Sequence, residues 1–144
     1  MNSNTNFTRA DALTENGLVV KHLQGAFPRL LAVYAFGSQI QDTAQKESDL
    51  DLAVLCEGYA DPLYLWELSA ELAEMLHMDV DLLDLRAAST VMQYQIITTG
   101  RLLWGQGLEA GLFECFILSE KTELDAARAE LLDDIAKTGK VYGR

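Results

Sequence analysis

The chain is poor in the residues that build disulfide, zinc or membrane architectures. Its two cysteines, Cys56 and Cys115, lie in apolar runs with no CxxC spacing. They read as small buried thiols in a reducing compartment, not as a disulfide framework or a thiolate metal site. The two histidines, His22 and His77, are not spaced as a metal pair. His77 is expected at a helix end, where a cation would offset the dipole. Positive charge is also scarce: 11 Lys and Arg stand against 22 Asp and Glu, a net charge of −11. Such a surface repels a phosphate backbone, so direct nucleic-acid binding is not expected. It suits a basic protein partner, and it serves solubility as well. No apolar run approaches the ~20 residues of a membrane span. The polar first 16 residues lack the basic and apolar regions of a signal peptide. A cytoplasmic protein is expected.

What is present is a core. Hydrophobic residues make up 49% of the 144 positions, enough for one globular domain spanning residues 1–144. Thr8 can cap a helix over about 8–25, weakened by Gly17. Leu30 to Phe36 is a continuous apolar run suited to an inner strand, and Leu50 to Cys56 is a second. Ser38 to about Thr43 can form a short helix between them. Asp61-Pro62 opens a helix to about Leu76, with Leu65, Leu68, Leu72 and Leu76 along one side. Asp79 to Leu85 alternates as a third strand. Asp79, Asp81, Leu83 and Leu85 share one face; Val80, Leu82 and Asp84 share the other. Ser89 caps a helix to about Thr99, stopped by Gly100. Leu102-Leu103-Trp104 is a short fourth strand, and 108–138 is one long helix or two abutting ones. The fold class expected is α+β: a small mixed sheet of about four strands with helices packed on it. The core spans about 28–105, with flanking helices over 8–25 and 108–138.

The chemistry is concentrated between the first two strands. Gly37-Ser38 ends the first, ten residues follow, and Asp49-Leu50-Asp51 opens the second. Phosphoryl and nucleotidyl transfer need positioned phosphates, positioned metal ions and an in-line acceptor. Asp49 and Asp51, two apart on a strand, point to one side and can share hard-oxygen-loving ions such as magnesium. Gly37 lets backbone approach a phosphate with no Cβ in the way. Ser38 offers a hydroxyl and an amide, to which a following helix N-terminus would add. A lone DxD is more often a solvated strand end. Here a third apolar strand carries Asp79, Asp81 and Asp84 as well, and aspartate is disfavoured in strands.

Gly37-Ser38, ten residues and Asp49-Leu50-Asp51 together match the G-S-x10-D-x-D signature of the DNA polymerase β-like nucleotidyltransferases. The chain resembles the minimal members of that superfamily and, more narrowly, the antitoxin of HEPN/MNT toxin–antitoxin pairs. The likeness covers roughly residues 28 to 105. It implies a polymerase β-like nucleotidyltransferase fold, with Gly37 and Ser38 holding the triphosphate of ATP. Asp49 and Asp51 would bind two magnesium ions. The third carboxylate falls on Asp81, which would complete the metal site and help deprotonate the acceptor hydroxyl; Asp79, on the same face, is the competing assignment. Asp84 is left as a strand-end or turn aspartate. The activity implied is transfer of AMP from ATP to a tyrosine of a cognate HEPN ribonuclease toxin, in a hetero-oligomer with that toxin. Two alternatives stand beside it. One is an antitoxin that acts by binding alone. The other is a small-molecule nucleotidyltransferase of the aminoglycoside type, against which the lack of a substrate domain counts.

Other residues carry weaker signals. Arg86 and Arg101 are the bases best placed to reach a phosphate, although surface roles are favoured for both. Lys46 lies within the motif loop. Trp66 and Trp104 read as core or interface aromatics, and Met92 and Tyr94 as packing residues. The stripe Phe113, Phe116, Ile117, Leu124, Leu131, Leu132 and Ile135 gives the last helix more apolar bulk than a surface helix needs.

Overall fold

The computed structural model describes residues 12–15, 17–37 and 49–138. Four strands and four α-helices are described, with a 3-10 turn at Leu85–Ala87 that ends the third strand before Leu85: α1 (Leu18–Ala26), β1 (Leu30–Phe36), β2 (Leu50–Cys56), α2 (Pro62–Leu76), β3 (Val80–Asp84), α3 (Thr90–Thr99), β4 (Arg101–Gly105) and α4 (Gly107–Thr138). Ser38, the expected short helix behind it and Lys46 lie outside the described residues, as does the proposed cap Thr8. The first helix described begins after Gly17, which occupies its N-cap with no side-chain hydrogen bond. The apolar face expected from residue 12 is therefore split there, with Val19, Val20 and Leu23 buried on α1.

The sheet has the order β3-β2-β1-β4. β1 pairs antiparallel with β2 and β4, while β2 and β3 are parallel. The sheet is thus mixed, as the α+β reading requires. A parallel pair needs a crossover, and α2 supplies it. Its start is written in the sequence: the Asp61 side chain accepts from the Leu63 amide at 3.1 Å and Pro62 takes the first helical position. Its end is made by His77, which adopts the left-handed conformation at φ 57°. The helix end expected for His77 is observed, and its part there is this backbone geometry.

Residue alternation divides the core into two layers. Val33, Leu52, Val54 and Val80 pack with Leu65, Leu68 and Leu72 of α2 and with α1. Tyr34, Ala53 and Leu55 pack on the other side against Ile96 of α3 and Ala110 of α4. Asp51 alternates with Leu52, so its side chain shares the α3/α4 face. Ser89 caps α3 by accepting from the Met92 amide at 3.2 Å. At the other end of α3, Gly100 is pressed against β1: a Cβ there would lie 2.9 Å from the Ala35 carbonyl oxygen.

α4 is one helix, 32 residues long, or about 48 Å at 1.5 Å per residue. A seven-residue strand spans only about 23 Å, so the helix outruns the sheet it covers. Ala110 and Ile117 are buried, but Phe116, Leu124, Leu131 and Leu132 are exposed. Cys115 is exposed on the same helix, contrary to the buried thiol expected, while Cys56 is buried on β2. Tyr34 ties α4 to the sheet by donating its hydroxyl hydrogen to Glu114 at 2.5 Å. No helix among the described residues is long and apolar enough to cross a membrane.

Candidate active site

Three strand ends meet at one end of the sheet. In the β1/β2 register Phe36 lies opposite Asp51, and in the β2/β3 register Asp51 lies opposite Asp81. Neighbouring residues of a sheet turn their side chains to the same face. Asp51 and Asp81 are therefore paired, with Gly37 beyond Phe36 on the other flank. Asp49 precedes β2 on the same side as Asp51 and is exposed. The carboxyl of Asp51 is held above its ordinary range. Burial is the main cause, followed by the charges of Asp81 and Asp49. The three acids thus form one electrostatic group.

Gly37 has φ +84°, a conformation that L side chains rarely adopt. A Cβ built there would collide with the Asp51 carboxylate, with Asp51 Cγ at 3.3 Å. Glycine is required twice over: for its backbone angle, and because the carboxylate occupies the side-chain space.

Asp79 lies one residue before β3, and its carbonyl accepts from the Leu50 amide at 2.9 Å. Asp84 is buried and already partnered. Its two carboxylate oxygens accept from the Ala60 amide at 2.9 Å and the Arg86 amide at 3.0 Å, which is the turn role expected of it. Arg86 is likewise engaged. Its guanidinium donates to the Cys56 carbonyl at 3.2 and 2.7 Å and lies 5.4 Å from the Phe113 ring centroid. Arg101 donates to the Leu13 carbonyl at 3.4 Å. His22 lies 2.8 Å from Glu71, far in sequence from His77.

Among the described residues no three His, Cys, Asp or Glu side chains stand close enough to hold a metal ion by themselves. The donor set nevertheless fits magnesium. Asp49, Asp51 and Asp81 supply hard oxygens, and their mutual repulsion is what a divalent cation relieves. Magnesium usually takes only one or two carboxylates and fills its octahedron with substrate phosphates and water.

The acids line a cleft of about 1390 Å³ that continues past β3 to Tyr59, Trp66 and Met92. Trp66 is 70% exposed and Tyr59 75% exposed. Trp66 is therefore no core residue, and Met92 is also partly open to solvent. Sequence patterning missed this wall. Trp66 adjoins the buried Leu65 on a helix, and spacing alone does not say which of the two turns outward.

The comparisons with known proteins agree with this fold. The family described as "Polymerase beta, Nucleotidyltransferase" matches residues 20–107. The chain is 42% identical over 123 residues to protein adenylyltransferase MntA of Shewanella oneidensis, covering 85% of this chain and 88% of that one. It is 37% identical over 81 residues to a probable protein adenylyltransferase MntA of Haemophilus influenzae, covering 56% and 71%. Among solved structures, a toxin–antitoxin crystal structure with AMP-PNP matches at a TM-score of 0.73 and 41% identity, covering 82% of this chain and 95% of that one. A complex of tri-AMPylated Shewanella oneidensis HEPN toxin with its MNT antitoxin matches at 0.66 and 38%, covering 82% and 92%. With the family matching well over half of its length and the relative matching most of it, the chain belongs to the polymerase β nucleotidyltransferases.

Proposed function

We propose that this protein is the antitoxin of a toxin–antitoxin pair and transfers AMP from ATP to a tyrosine hydroxyl of its cognate HEPN toxin. The observation that carries the reading is the register pairing of Asp51 with Asp81 beside Gly37, in a chain 42% identical to a protein adenylyltransferase. The likeness to a complex holding a tri-AMPylated HEPN toxin supports a HEPN toxin as acceptor; the tyrosine is carried by the family resemblance.

In this reading Gly37 and Ser38 hold the triphosphate, and Asp49, Asp51 and Asp81 hold two magnesium ions. When bound, those ions neutralise the charge that develops on the phosphates. Asp81 is preferred to Asp79 as the third carboxylate because it stands opposite Asp51 and its charge acts on it. The acceptor oxygen attacks the α-phosphorus, forming the tyrosyl O–P bond. The bond from that phosphorus to the bridging oxygen breaks, and pyrophosphate leaves with the electron pair. The hydroxyl proton passes to Asp81 and then to solvent. The modified toxin gains negative charge near an RNA-cutting site, which would block RNA there. The pair would work as a hetero-oligomer in the cytoplasm.

Incubating the protein with labelled ATP, magnesium and its cognate toxin should label the toxin. Asp49→Asn and Asp51→Asn should each abolish the label. A toxin left unlabelled by the wild-type protein would overturn the proposal. If the Asp49→Asn/Asp51→Asn protein protected cells fully, protection would come from binding instead.

A further inference from the structure

β3 is the outer strand of the sheet, and among the described residues nothing pairs with its free side. The direction of its backbone groups follows from the ladder. The Leu50 amide bonds to the Asp79 carbonyl, and Asp51 lies opposite Asp81. Successive residues of a strand turn their polar groups to opposite sides, so Asp79, Asp81 and Leu83 face β2. Val80 and Leu82 then turn theirs to the open side. Unpaired edges of this kind are templates for another strand. β3 contains neither proline nor lysine, the residues with which natural edges often repel one.

This edge lies in the cleft that holds the acids. Trp66 and Tyr59 line it on one side, with Ala87, Ala88 and Met92 also contributing. At about 1390 Å³ it exceeds the roughly 300–1,000 Å³ of a small-molecule pocket, so a nucleotide leaves room to spare. α2 covers the sheet face opposite the one from which Asp51 projects. Trp66 therefore stands across the edge from the phosphate site, where a bound base would have to reach round β3 to stack on it.

We propose that the acceptor protein docks an extended segment as a fifth strand on the free edge of β3. This rests on the transfer activity proposed above and names how its substrate is held. The added strand would lie about 4.8 Å from β3. Its residue opposite Asp81 would point to the face of the acids and present the hydroxyl. The residues on either side of it would point to the α2 face, where Trp66 anchors an apolar side chain. Tyr59 anchors the segment farther along the edge.

Steady-state transfer to the cognate HEPN toxin tests the docking, with KM measured separately for toxin and for ATP. Trp66→Ala, at an exposed position, should raise KM for toxin about tenfold, as loss of an aromatic anchor does, and leave KM for ATP unchanged. Leu82→Pro removes one of the outward amide hydrogens, that of residue 82, which an edge strand tolerates. It should raise KM for toxin above that of Leu82→Ala, which matches the loss of packing. Unchanged KM for toxin in Trp66→Ala and equal values for the two Leu82 variants would overturn the docking. A rise confined to KM for ATP would overturn it too, by placing the base on Trp66. A wild-type protein that leaves the toxin unlabelled is a different result, and it overturns the transfer reading itself.

Discussion

The carboxylate of Asp51 occupies the space in which a side chain on Gly37 would begin. Replacing Gly37 by alanine therefore carries two costs. The residue sits at φ +84°, which costs an L residue about 1–2 kcal/mol, and the new methyl displaces the carboxylate. Gly37→Ala should lower the stability measured by urea unfolding by about 1–3 kcal/mol. Transfer should fall by at least about a hundredfold, the scale set by losing a positioned electrostatic group. Adding Asp51→Ala removes the collision but not the backbone strain. The two substitutions should thus be non-additive, with a coupling of at least about 0.5 kcal/mol. Simple additivity would show that the contact carries no energy.

Asp51 is partly buried beside two like charges, and its carboxyl is raised by that burial and by Asp81 and Asp49. An ionised Asp51 thus works against the metal-free fold near neutral pH. Asp51→Asn keeps the shape and removes the charge. In EDTA at pH 7 the variant should melt at a higher temperature than wild type. Magnesium with a non-hydrolysable ATP analogue should raise the wild-type melting temperature and leave that of the variant nearly unmoved, since binding to the native state alone stabilises it. A variant that melts lower in EDTA, or responds to magnesium as wild type does, would contradict this account of the acids.

The strands were legible because continuous apolar runs bounded by Gly37, Gly58 and Asp49 have few other solutions. The helix starts at Asp61-Pro62 and Ser89 were equally plain, since each cap is a local hydrogen bond to an amide two or three residues ahead. Gly37, Asp49 and Asp51 could be singled out because their spacing in sequence is part of the chemistry. What stayed hidden depends on register and on which face turns outward. Nothing local says that Asp81 faces Asp51, that Arg86 is spent on the Cys56 carbonyl, or that Trp66 faces solvent. Cys115 looked like Cys56 because both lie in apolar runs. The difference is one of helix face: Ala110, Phe113, Glu114 and Ile117 form the stripe of α4 turned to the protein, and Cys115 falls off it.

The two thiols should react very differently. Cys115 is exposed on α4. Cys56 is buried, and its thiol is pushed up to about 11 by that burial and by Asp84, against an opposing pull from Arg86. The thiolate is the reactive species, so at pH 8 Cys56 is both inaccessible and protonated. A thiol reagent such as DTNB should modify one cysteine per chain quickly in the native protein, and the second only as the chain unfolds. Cys115→Ser should abolish the fast phase. Two fast equivalents would show that the end of β2 opens readily, an event the Arg86 hydrogen bonds to the Cys56 carbonyl should resist.

Tyr34 sets an upper limit on the pH range of the fold. Its ring is almost wholly buried in the layer between sheet and α3/α4, and its hydroxyl donates to Glu114. Burial first, then the hydrogen bond and the charge of Glu114, raise its pKa far above the ordinary tyrosine value. A group raised in the folded state contributes stability that is fully present below its unfolded value, about 10, and is lost as pH climbs beyond it. The chain should therefore begin to lose stability above about pH 10. Of its five tyrosines, Tyr34 should ionise only together with unfolding, seen as a delayed step in tyrosinate absorbance that coincides with loss of far-ultraviolet circular dichroism. Tyr34→Phe should remove that step. At pH 7 the substitution should cost about 1.5 kcal/mol, the lower end for a hydrogen bond to a charged group because Glu114 is partly solvated. If Tyr34→Phe loses helix and sheet signal at the same alkaline pH and with the same steepness as wild type, the Tyr34–Glu114 bond is not what joins α4 to the sheet.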